Sequence, residues 1–141
     1  MGFIADVERA ITDAVKQAVP EVPVSRLTSG FARAFAEAPL REVVFVGLLN
    51  ISFGENQILN AIAQPMRLHF GVFVTCSNPR GLFDKAAEVY DRVERIINAL
   101  SGLRVQDATV IVQGVDIQQI TDEVTANVIH AVAQDHYTKI T

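Results

Sequence analysis

Residues 67–100 read RLHFGVFVTCS, NPRG and LFDKAAEVYDRVERIINAL in succession, and this stretch decides the fold. In the first piece Leu68, Phe70, Val72, Val74 and Cys76 alternate with Arg67, His69, Gly71, Phe73 and Thr75, the period-two signature of a strand. Asn78-Pro79-Arg80-Gly81 is a turn. From Leu82 to Leu100, Phe83, Ala86, Tyr90, Val93, Ile97 and Leu100 recur at steps of three and four. That spacing predicts a helix laying this face on the sheet. Asp84, Lys85, Glu88, Asp91, Arg92, Glu94 and Arg95 pair opposite signs three or four apart, as an exposed helix face does.

Downstream, Gly102 is placed to stop the helix in a left-handed conformation. Ala108 to Gln113 is a β-branched strand, Gly114 begins a turn or bulge, and Glu123 to Tyr137 alternates as a long final strand. Upstream, Ile4, Val7, Ile11, Val15 and Val19 form one apolar helical stripe that Pro20 and Pro23 end. Val22 to Leu27 fits a short strand. Thr28-Ser29-Gly30 marks a turn, and Phe31 to Ala38 fits one or two helical turns. Arg41 to Phe53 leaves almost no polar face, which predicts a mid-sheet strand buried on both sides, with Gly47 a bulge or a point of close backbone approach. The expected architecture is α+β. A single mixed or antiparallel sheet of four to five strands is packed by an N-terminal helix and helix 82–100, in one domain spanning 1–141.

Bulk properties narrow the function. A chain of 141 residues buries roughly two-thirds of its unfolded surface, enough for one core without staples. Twelve basic against 16 acidic side chains give a net charge of -4, which argues against a grip on nucleic-acid phosphates. The lone Cys76 allows no intrachain disulfide and, on the apolar face of its strand, reads as a small buried hydrophobe. No apolar run reaches 18 residues and no secretory leader is recognisable, so a cytoplasmic site of synthesis and folding fits.

No motif carries chemistry. His130 and His136 fall on one face of the last strand, six residues apart, which at about 3.3 Å per residue is roughly 20 Å. His69 meets either one only if its strand pairs suitably. Three unrelated strand histidines are expected, with no catalytic, cofactor-binding or metal-ligating residue. Asp116, Asp122 and Glu123 near a turn read as solvated carboxylates. The exception to this bland picture is the long connection Gly54 to Met66, where Ile58, Leu59, Ile62 and Met66 stand among Asn56, Asn60 and Gln64. These apolar residues either lie back over the sheet as a covering helix or form an arm that needs another chain.

In order and texture the chain resembles the tail terminator, or tail completion, proteins of long-tailed phages, most of all their Mu-like branch. The residues that carry the resemblance are the opening helix with Ile4, Val7 and Ile11 and Phe31-Ala32-Arg33-Ala34-Phe35 leading into Val43 to Leu49. They continue with Phe70 to Cys76, Ser77 to Gly81, the helix bearing Tyr90, Val93, Ile97 and Leu100, and Gly102-Leu103. The resemblance implies a tail-tube-like subunit that is not an enzyme and uses no cofactor. It implies a homo-hexameric ring on the last tube ring, stopping tube growth and meeting the head–tail connector and, in contractile tails, the sheath. Headless bacteriocin-type tails use comparable caps. It also implies a place in the virion tail, with assembly in the host bacterial cytoplasm, no membrane partner and no specific nucleic-acid binding. Ring contacts are expected at Ile58, Leu59, Ile62 and Met66 and at the end of the last strand, Tyr137 and Ile140. Another head–tail joining ring protein is one alternative, and a small cytoplasmic ligand-binding domain or enzyme is another.

Overall fold

The computed structural model describes residues 2–27, 42–56, 62–77, 83–119 and 124–140. The turn expected at 28–30, the helical turns at 31–38, the turn at 78–81, Ile58 and Leu59, and Asp122 and Glu123 lie outside them.

The first helix, α1 (Phe3–Ala18), forms as its stripe requires: Val7, Ile11, Val15 and the trailing Val19 are all fully buried. Thr12 sits among them and satisfies its hydroxyl on the Glu8 carbonyl at 2.7 Å. Asp6 near the start and Lys16 near the end complement the helix dipole.

Six strands follow, where the sequence predicts four to five: β1 (Val24–Arg26), β2 (Val44–Phe53), β3 (Ile62–Ser77), β4 (Arg104–Val105), β5 (Ala108–Gln119) and β6 (Val124–Ile140). The extra one is β4, two residues long and too short to show any alternation. The order across the sheet is β1-β2-β3-β6-β5-β4, and only β1–β2 is parallel. Three other boundaries shift. β3 begins at Ile62 rather than Arg67, so Ile62 and Met66 belong to a strand and not to a loop or covering helix. Pro65 inside that run hides it in the sequence, because proline normally argues against a paired strand. β5 continues past Gly114 to Gln119, and β6 reaches Ile140.

The second described helix, α2 (Phe83–Leu100), buries Val89, Val93, Ile96 and Leu100, whereas Tyr90 is 52% exposed. The buried stripe keeps Val93 and Leu100 but takes Val89 and Ile96 where Tyr90 and Ile97 were expected, a turn of about 50°. The reason is α1, which α2 packs against as well as the sheet. Arg92, expected on the exposed face, is buried with it. Its Nη1 donates to Glu42 Oε2 at 2.7 Å and its Nε to Glu21 Oε2 at 3.5 Å. Arg95 also bonds Glu21 and donates to the Ala18 carbonyl at 2.9 Å, clamping the end of α1 to α2. Gly102, at φ +82°, stops α2 as the sequence predicts.

Both described helices cover one face of the sheet, over Leu68, Phe70, Val72, Val74, Ile129, Ala131 and Ala133. On the opposite face Phe45, Phe73, Ala126 and Val128 form a smaller buried cluster with Leu27 and Val43 against it. β2 joins both layers only at its start. Val44 to Gly47 are buried as expected, but Leu49, Ile51 and Phe53 are exposed, because β1 flanks only the first three residues. Gly47 is the close approach expected of it: a Cβ there would lie 2.9 Å from the Leu27 Cβ.

Candidate functional site

Two surfaces stand out, both set by strands outrunning their neighbours. On one flank, β1 pairs with Val44 to Val46 and the Leu27 N–H reaches the Val46 carbonyl at 2.8 Å. From Gly47 to Phe53 the outer edge of β2 has no partner strand among the described residues. Leu49, Ile51 and Phe53 stand along it, at 37%, 37% and 52% exposure. On the other flank, β4 pairs only with Ala108 and Thr109, and Val110 bonds Gly102 and Leu103. Beyond Val110 the outer edge of β5 is likewise open among the described residues, with Val115 and Ile117 exposed. An open strand edge is a row of unmet backbone donors and acceptors, and it is a template for another strand.

The end of the sheet gathers most of the residues expected at a contact. β3 and β6 pair Ile62 with Ile140, Pro65 with Tyr137 and Met66 with His136. Four of the six expected positions therefore share one paired segment instead of two separate regions. Phe53 lies opposite Met66 on the β2 side, and Gly54 donates to the Pro65 carbonyl at 2.8 Å. Tyr137 is 40% exposed. Met66 lines an open pocket of about 510 Å³ with Phe3, Ile4 and His136 at the start of α1. His136 stacks on Phe3 with centroids 3.7 Å apart and bonds Asp107 through Nδ1 at 2.6 Å.

The histidines depart from expectation twice. First, His130 and His136 do not share a face. Between Ala133 and His136 the last strand spends three steps against two on β3, from Leu68 to Met66, and Asp135 takes φ +71°. The extra residue turns the strand over, placing His136 on the helix side and His130 on the other. Second, His69 and His130 are not unrelated. The pairing sets His130 beside Gly71 and Gly114, and its imidazole reaches diagonally both ways. His69 Nε2 and His130 Nδ1 are 2.9 Å apart, and His130 Nε2 is 2.7 Å from Asp116 Oδ2. Burial first, and the neighbouring His130 second, hold His69 below its ordinary 6.5. Asp116 is thus a strand residue with a partner rather than a solvated turn. Only the register of β3, β6 and β5 could have revealed this, and two bulges obscure it. Among the described residues no group of three or more histidine, cysteine or acidic side chains is arranged to hold a metal ion. No described helix is long and apolar enough to cross a membrane.

No protein family and no curated protein matches the sequence. Solved structures do share the fold. A chain from the virion of a native gene transfer agent particle superposes with a TM-score of 0.58 at 10% identity, over 94% of this chain and 96% of that one. A second solved protein, whose name describes no function, gives 0.51 at 17% identity over 96% and 94%. The chain is therefore an α+β protein whose fold, over nearly its full length, also occurs in a phage-like particle.

Proposed function

We propose that this chain is a structural protein of a phage-like tail, a terminator that caps the tail tube as a hexameric ring and offers a surface for head attachment. The observation that carries the reading is the pair of partly apolar strand edges on opposite flanks of one sheet that no other strand among the described residues covers. Two different edges on one subunit are what a head-to-tail ring needs, since such a ring joins unlike patches and closes by rotation. The fold shared with a chain of a gene transfer agent virion supports the same reading. So do the apolar residues left exposed at the end of the sheet, Ile51, Phe53 and Tyr137, beside Ile62, Met66 and Ile140. The tail tube, the head–tail connector and a sheath are the partners this function would bring.

Light scattering of the purified chain over a range of concentrations is the test. A mass six times that of the 15.4 kDa subunit is expected, either alone or on addition of tail-tube protein. A monomer that neither closes nor binds tube protein would overturn the terminator reading. A ring that binds connector but not tube would replace it with a head–tail joining protein.

A further inference from the structure

The row formed by His69, His130 and Asp116 is built more specifically than packing requires. A carboxylate only accepts, so His130 donates through Nε2 to Asp116, and its neutral ring then accepts at Nδ1 from His69 Nε2. The chain runs across three strands, β3, β6 and β5, on the face away from the helices. The ring centroids of the two histidines are 5.0 Å apart and tilted by 40°. Along β3 the other charged residue on this face is Arg67, two residues from His69, while β2 sets the neutral Asn50 opposite His69. β6 adds no charged neighbour within two residues of His130, and β5 adds only Asp116.

We propose that these three residues form a proton-counting latch that holds with one added proton and opens with two. One added proton disturbs neither hydrogen bond, because a single N–H still lies between His69 Nε2 and His130 Nδ1 whichever ring carries the charge. A second added proton leaves both nitrogens protonated and sets an N–H against an N–H at a spacing where two like charges meet. The His69–His130 bond then breaks, His69 swings off the sheet, and the net charge of the triad passes from -1 with no added proton to +1 with two. The latch rests on side-chain geometry alone and stands whether or not the chain forms a ring.

The test is a side-chain nitrogen NMR titration of the full chain, with His69→Gln and Asp116→Asn beside it. At high pH His130 is expected as the Nε2–H tautomer. The two rings should titrate in two steps about one pH unit or more apart, as strongly coupled sites do. His69→Gln should leave the fold unchanged and reduce the two coupled steps to one. Asp116→Asn should lose the tautomer preference. Two rings titrating together in the wild type, with His130 unmoved by His69→Gln, would overturn the proposal. So would an Nδ1–H tautomer at His130.

Discussion

Glycines at Gly47, Gly71 and Gly114 lie in one row across β2, β3 and β5, with His130 on β6 completing it, yet they are not equivalent. A Cβ on Gly71 would come within 2.8 Å of the Phe73 ring and 2.9 Å of Leu49 Cδ1, whereas one on Gly114 meets nothing within 4 Å. Gly71→Ala is accordingly expected to destabilise by about 1–3 kcal/mol, the usual range for forcing extra volume into packed surroundings. Gly114→Ala should be neutral or slightly stabilising, and urea denaturation of the pair decides it. Glu21 offers a pH test at the same scale. Hydrogen bonding to Arg95 lowers its carboxyl to about 2 from 4.5. A depressed acid contributes stability above its unfolded value and loses it as pH falls from about 4.5 toward 2. Because the pair is well exposed, the effect is modest. The thermal midpoints of wild type and Glu21→Gln should differ at pH 7 and converge as pH approaches 2.

Among elements, the stripe rule served α1 fully and α2 only in part. In α1 each apolar position read from the spacing is buried or half-buried. In α2 two overlapping stripes that share Val93 and Leu100 were available, and spacing alone cannot choose between them when one helix must face both a sheet and another helix. Ile96→Ala should cost about 2–5 kcal/mol, as truncations in a packed core do. Tyr90→Ala should stay within about 0.5 kcal/mol in the isolated chain. A calorimetric comparison of the two reads the orientation of α2 directly. The strands tell a similar story. Alternation located β3, β5 and β6, because one buried face writes a period of two into the sequence. Their ends escaped, since Pro65 interrupts 62–66 and the bulge before Gly114 breaks the phase of the alternation ahead of Val115 and Ile117. The histidine row escaped for a different reason: it depends on which residues lie opposite one another, and pairing leaves no mark along a single chain.

At the level of the whole molecule, the apolar run of β2 read as a strand buried twice over, and half of it proved exposed. Hydrophobic residues that a partner covers look, in sequence, the same as residues that the chain covers itself. If the two open edges meet in a ring, one charge on either edge should prevent closure without harming the subunit. Phe53→Lys and Ile117→Lys are each expected to leave the circular dichroism spectrum and thermal midpoint nearly unchanged. The same substitutions should reduce a six-fold mass to that of a monomer. Mixing the two variants tests the head-to-tail geometry further. Each retains one sound edge, so a defined dimer is expected from the mixture and from neither alone. Larger species from the mixture would mean that like edges associate.

The bulge at Asp135 makes the tip of β6 sensitive to register rather than to chemistry. Its one surplus residue works like a half-twist in a ribbon, deciding which side of the sheet everything after it is shown to. Running the same residues in regular alternation, without the bulge, would invert the address of every later amino acid: His136 would leave Phe3 for the far side, and Tyr137 would turn toward the helices. Removing Asp135 instead takes away the surplus, so Ala133 and His136 stand two steps apart and each later side chain keeps its present face.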